Sequence, residues 1–133
     1  MNLLLLDTNG VSILFSREHS LRETCLNTVS GHQLLISFMS LGELLLWPVS
    51  NNWGATRRSA LEARIARFLT LYPDERPCAL WVSVGDGFRR AGRPVRTADA
   101  WIAAIALQWS CPLVTTDYRD YEAIDGLNVV PIG

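Results

Sequence analysis

Four acidic residues stand where apolar runs end or helices begin, and their types and placement suggest chemistry. They are Asp7 after Leu3-Leu4-Leu5-Leu6, Glu43 in Ser40-Leu41-Gly42-Glu43, Asp99 ahead of Ala100-Trp101-Ile102-Ala103-Ala104, and Asp117 after Leu113-Val114-Thr115-Thr116. An open α/β sheet places its active site just past the carboxyl ends of its strands. Four carboxylates gathered there would raise one another's pKa, so a cation is needed to keep them ionised together. Carboxylate oxygens suit the hard ions Mg²⁺ or Mn²⁺. Metal-assisted hydrolysis of a phosphodiester is the chemistry that follows.

Each residue alone has a plainer use. Asp7 can cap a helix or form a turn, and Glu43 completes an S-x-x-E capping box with Ser40. Asp99 suits the positive end of a helix, and Asp117 sits in a turn after a strand. Their joint placement is what favours a site. Asp120, Glu122 and Asp125 add acid near Asp117, with Asp120 as a reserve ligand. His19 and His32 stand alone, without the spacing of a zinc site or a catalytic triad. Neither G-x-G-x-x-G nor a P-loop occurs, so nothing points to a nucleotide cofactor.

The elements that must position these residues alternate between strand and helix. Leu3 to Leu6 reads as a strand buried on both faces, followed by a helix from Thr8 or Asn9 to about Phe15. A loop over residues 16–20 and a helix over 21–29 lead to a second strand, Gln33 to Ser37. The capping box opens a helix ending near Pro48, and Ala55 to Leu71 reads as the longest helix, with Leu61, Ile65, Phe68 and Leu69 on one stripe. Cys78 to Ala91 reads as a helix despite Gly85 and Gly87, which cost about 1 kcal/mol each there. A small-residue helix over 98–109, a strand over 113–115, a short helix and a last strand over 127–130 complete the chain. This order predicts an α/β fold, a parallel sheet covered on both sides.

Composition bounds the rest. The 133 residues suit a single domain spanning 1–133, and 49% hydrophobic residues with 19% charged ones suit a packed core. No apolar run approaches the roughly 18–20 residues of a membrane span. The first residues lack the basic and small-residue features of a signal peptide; a cytoplasmic protein with no membrane partner is expected. Cys25, Cys78 and Cys111 form no disulfide or zinc pattern and read as small buried residues. Scattered tryptophans, among them Trp101 and Trp109, read as core. Net charge is −1, yet all 12 basic residues are arginine and they cluster. Arg57, Arg58, Arg64 and Arg67 share one helical segment, while Arg89, Arg90, Arg93 and Arg96 precede Asp99. Arginine forks suit phosphate, so the second group is a candidate RNA-backbone contact.

The motifs Leu5-Leu6-Asp7-Thr8-Asn9, Ser40-x-Gly42-Glu43-Leu44, Gly92-Arg93-Pro94 leading to Asp99-Ala100-Trp101-Ile102-Ala103-Ala104, and Leu113-Val114-Thr115-x-Asp117-x-x-Asp120-Tyr121 resemble those of PIN-domain ribonucleases. Within them the resemblance is nearest to the VapC toxins of bacterial toxin–antitoxin pairs, and it covers nearly the whole chain. It implies a three-layer α/β/α domain with a parallel sheet of four or five strands and an Mg²⁺- or Mn²⁺-dependent endoribonuclease. The family's metal-binding positions fall on Asp7, Glu43, Asp99 and Asp117, with Thr115 steadying the cluster and Asn9 completing the Asp-x-Asn opening. It also implies a homodimer and a cognate antitoxin whose C-terminal tail lies over the cleft. Gly10 departs from the pattern where an aliphatic residue is usual, as do Gly85 and Gly87 within their helix.

Two other readings compete. A haloacid-dehalogenase-type phosphatase would need an acid two residues beyond Asp7, where Asn9 stands, and a lysine, of which the chain has none. A catalytically idle interaction domain would not need all four carboxylates.

Overall fold

The computed structural model describes residues 2–94 and 96–133. Five strands form one sheet: β1 (Leu3–Leu6), β2 (Gln33–Ser37), β3 (Leu69–Leu71), β4 (Leu113–Thr115) and β5 (Val129–Pro131). The helices are α1 (Thr8–Phe15), α2 (Arg22–Val29), α3 (Phe38–Ser50), α4 (Ala55–Ile65), α5 (Arg76–Arg90), α6 (Thr97–Trp109) and the single turn α7 (Tyr118–Tyr121). The strand order is β3-β2-β1-β4-β5 and every pairing is parallel. Register places Leu6 beside Ile36 on one side and beside Val114 on the other. Asp7, directly after Leu6, therefore emerges at the middle of the sheet's carboxyl edge.

The period-2 alternation of a strand sends successive side chains to opposite faces, and both faces are covered. Leu5, Leu35 and Leu113 pack with Val84 and Phe88 of α5 and with Ala103 of α6. Leu4, Leu6, Ile36 and Val114 pack with Val11, Leu44 and Leu61 of α1, α3 and α4. The two apolar layers make the three-layer α/β/α arrangement. Buried alanines 100, 103, 104 and 106 let α6 approach its neighbours closely. Burying each large aliphatic side chain stabilises the fold by about 1.5–3 kcal/mol.

Several elements differ from the sequence reading. The third helix starts earlier: Ser37 is its N-cap and accepts from the Ser40 N–H at 3.1 Å, so Ser40 lies inside α3 and the Ser40–Glu43 capping box does not form. Pro48 sits within α3 rather than ending it. The fourth helix stops at Ile65, and Leu69–Leu71 forms an edge strand pairing with Leu35–Ser37. Three residues carry too little alternation to separate from the preceding helical stripe, and Leu69 is exposed there. The last strand begins at Val129 rather than residue 127. Cys78 and Trp109 are exposed rather than buried.

The glycine-bearing segment is one continuous helix, as the apolar spacing suggested. Gly87 has a packing reason: a Cβ there would lie 2.9 Å from Ile124 Cδ1.

Candidate active site

In this strand order the chain builds outward from β1 through β2 to β3, then crosses to β4 and β5 on the other side. The reversal between β1 and β4 is the switch point at which open α/β sheets bind ligands. Asp7 follows β1 and Asp117 follows β4, so the two flank it.

Asp7 is the N-cap of α1, and its Oδ1 accepts from the Gly10 N–H at 2.7 Å. The Thr115 hydroxyl donates to its Oδ2 at 2.5 Å. That hydroxyl in turn accepts from the Asp117 N–H at 3.0 Å, which locks the end of β4 onto the carboxylate. A Cβ on Gly10 would lie 3.2 Å from Asp7 Oδ1, so the glycine admits the carboxylate at close range. Asp7 is only 4% exposed. Burial pushes its pKa up to about 6; the Thr115 and Gly10 hydrogen bonds oppose this, while the charges of Asp117 and Asp99 add to it.

Asp99 occupies the first turn of α6. Burial raises its pKa, the Arg96 guanidinium opposes the rise, and Asp117 and Glu43 reinforce it. The Tyr121 hydroxyl also eases the Asp99 charge. Tyr121 is itself buried, and its pKa rises through burial and the nearby charges of Asp99, Asp7 and Asp117. It therefore stays a phenol and can serve the cluster only as a donor or a neutral group.

Glu43 projects from α3 and accepts from the Thr8 hydroxyl at 2.7 Å. Thr8 Oγ1 also lies 3.0 Å from Ser40 Oγ, one turn before Glu43 on the same face. The early start of α3 is what makes this possible, because it releases Glu43 from capping its own helix. Asp7, Thr8, Asn9, Glu43 and Asp99 line one open cleft of about 380 Å³, walled by Trp47 and Ile102. Asp117 lies in a separate hollow with Asp120, near enough for its charge to act on Asp7 and Asp99.

The arginine cluster divides. Arg96 pairs with Asp99 at 3.4 Å and with Asp120 at 2.6 Å, and Arg93 also pairs with Asp120. Asp120 thus ties the loop before α6 to α7 and faces two guanidinium groups. Arg89 and Arg90 instead pair with Asp86 on the exposed side of α5. Thr8, Ser40 and Tyr121 escaped the sequence reading as site groups. Hydroxyls give no spacing signal, although all three lie inside the motifs that carry the resemblance.

Among the described residues no three His, Cys, Asp or Glu side chains enclose a metal ion by themselves. The donor set nevertheless fits Mg²⁺, which binds through one or two carboxylates and keeps several of its waters. Burial chiefly, and the neighbouring carboxylates in addition, disfavour the charged forms of Asp7 and Asp99, a cost that a bound hard cation would offset.

The profile of the PIN domain matches residues 4–127. Ribonuclease VapC1 of Haemophilus influenzae is 29% identical over 125 residues, covering 92% of each chain. The fold is that of a solved DNA-bound VapBC from Salmonella typhimurium, with TM-score 0.80, 23% identity and full coverage of both chains. It is also that of a toxin–antitoxin complex from Klebsiella pneumoniae, with TM-score 0.72, 22% identity and 98% of each chain covered.

Proposed function

We propose that this chain, which belongs to the PIN domain family, is a metal-dependent endoribonuclease and the toxin of a toxin–antitoxin pair. The single observation that carries the reading is the meeting of Asp7, Glu43 and Asp99 in one cleft, with Asp117 held beside them through Thr115. Similarity to ribonuclease VapC1 supports RNA as the substrate. Likeness to chains of VapBC complexes supports a cognate antitoxin as partner.

In this reading Asp7, Asp99, Glu43 and Asp117 would hold Mg²⁺ or Mn²⁺, one or two of them touching the ion and the others acting through its waters. When bound, such an ion offsets charge on phosphate oxygens and lowers the pKa of water. The other residues prepare the site for it. Thr115 and the Gly10 N–H fix both oxygens of Asp7, so the carboxylate loses little freedom when it binds a ligand. Thr8 orients Glu43 in the same way. Arg96 offsets the Asp99 charge from the side and is itself anchored by Asp120. Asn9 brings an amide to the cleft wall, suited to a phosphate or ribose oxygen.

A homodimer is part of the same proposal. Leu45, Leu46 and Val49 expose an apolar strip on α3 that a second copy would cover.

The test is substitution of the carboxylates. Asp7→Asn and Asp99→Asn are expected to stay folded and to lower RNA cleavage by about 100-fold or more, equivalent to about 3 kcal/mol of transition-state stabilisation. Unchanged cleavage in both variants would remove the site assignment.

A further inference from the structure

Five of the twelve arginines lie on one flank: Arg17 after α1, Arg22 opening α2, and Arg57, Arg64 and Arg67 on or just after α4. None of the five pairs with a carboxylate among the described residues, nor do Arg58 and Arg119, whereas Arg76, Arg89, Arg90, Arg93 and Arg96 all do. Glu18, Glu23 and Glu62 are near in sequence and still leave these charges unmatched.

The shape of the flank matches its charge. Two hollows of about 380 and 350 Å³ run along it and meet at Phe15 and Arg64. The first also shares Trp47 with the carboxylate cleft, so the arginine flank begins one side chain away from that cleft. Along it, the guanidinium of Arg57 lies 3.7 Å from the Trp53 ring centroid, and that of Arg64 lies 4.0 Å from that of Phe15. Burial, then the like charges of Arg22, Arg17 and Arg67, lower the pKa of Arg64. Like charges crowded in this way are relieved by an anion.

We propose that this flank is the track of single-stranded RNA, its backbone leaving the carboxylate cleft past Trp47 and passing Arg64, Arg22 and Arg67. The proposal rests on the ribonuclease reading above. It also answers a difficulty of that reading: the cleft is acidic, and Arg93 and Arg96 beside it are neutralised by Asp120 and Asp99. Arg119, beside Asp117, is the one arginine there without an ion pair among the described residues, so most of the attraction for a polyanion comes from elsewhere. The unpaired flank supplies it, and the Arg–aromatic stacks offer flat surfaces that accept any base. Adjacency to the cleft across Trp47 favours RNA over an acidic protein segment, since an RNA strand cut there must run on beyond it.

The experiment measures binding of a short fluorescent single-stranded RNA to the Asp99→Asn protein in Mn²⁺, over a range of salt. Adding Arg64→Gln with Arg67→Gln is expected to weaken binding about tenfold near 0.1 M salt and to reduce the log–log salt slope by about 1.4, about 0.7 per lost phosphate contact. Arg57→Gln, which leaves the Arg64 packing intact, is expected to weaken binding a few-fold. Arg76→Gln removes the same charge at a remote ion pair and is expected to change neither quantity. Thermal melting confirms that each variant is folded. Unchanged affinity and slope in folded variants, with wild-type protein cutting RNA, would overturn the track and leave the ribonuclease reading standing. In a parallel titration with fluorescent poly-glutamate, loss of its binding in the arginine variants with RNA binding intact would overturn the track in favour of an acidic protein. Failure of wild-type protein to cut RNA would overturn the reading on which the track depends.

Discussion

Asp7 concentrates the physics of the site in one side chain. It is buried, doubly hydrogen-bonded, and pushed from an ordinary 3.8 to about 6. A carboxylate with a raised folded-state pKa favours the native state only while protonated, so its contribution to stability falls as pH rises from about 4 to 6. Above pH 6 the metal-free protein carries a penalty of up to about 3 kcal/mol at this residue, at about 1.4 kcal/mol per pKa unit. Asp7→Asn is therefore expected to melt higher than wild type at pH 7.5 without metal and to match it near pH 4. Mn²⁺ should raise the melting temperature of wild type above pH 6 and much less at pH 5, because the ligand form is the carboxylate. Asp7→Asn melting below wild type at pH 7.5 would contradict this account. Thr115→Val removes the donor to Oδ2 and is expected to weaken Mn²⁺ binding about 10–100-fold, the usual range for an outer-shell partner. Asp7, Asp99 and Asp117 were legible in the sequence because each stands beside an element boundary. The hydroxyls of Thr8, Ser40 and Tyr121 were not, because their roles depend on contacts between distant segments such as Thr8 with Glu43.

At the scale of elements, the site depends on where α3 and α6 begin. Ser37 rather than Ser40 caps α3, so a local sequence match gave the wrong start, and the correct one turns Glu43 toward Thr8. The competition lay between two serines three residues apart, and the end of β2 at Ser37 decided it. Long periodic segments such as α6 and the four-leucine strand β1 were legible; β3 was not, since its three residues extend the helical stripe of α4. Gly42 lies inside α3, exposed and with open space where a Cβ would go. Gly42→Ala is expected to stabilise the protein by about 1 kcal/mol, read as a higher urea midpoint. Ser110 ends α6 in the left-handed conformation, φ 52° and ψ 38°. Ser110→Gly is expected to add about 1 kcal/mol by relieving that strain. A fall in midpoint for either variant would mean that the local backbone is not as described.

For the whole molecule, the distribution of charge matters more than the net value of −1. Acid gathers at the carboxyl edge of the sheet, while five of the arginines without a carboxylate partner among the described residues occupy the flank beside it. The alternation of strand and helix made the parallel sheet legible, but the flank was not, because Arg17 and Arg22 join the α4 arginines only once α1 and α2 have folded against them. No helix among the described residues is long and apolar enough to cross a membrane. Exposed Leu46 and Val49 predict self-association: light scattering is expected to give twice the 14.8 kDa chain mass, and Leu46→Glu with Val49→Glu to give the monomer. The most direct test of the central claim is cleavage of a mixed cellular RNA pool by the purified, partner-free protein in Mn²⁺, in Mg²⁺ and in chelator, beside Asp99→Asn. Discrete fragments that require metal and are missing with the variant are the predicted result. An intact RNA pool in both metals, from folded protein, would contradict it.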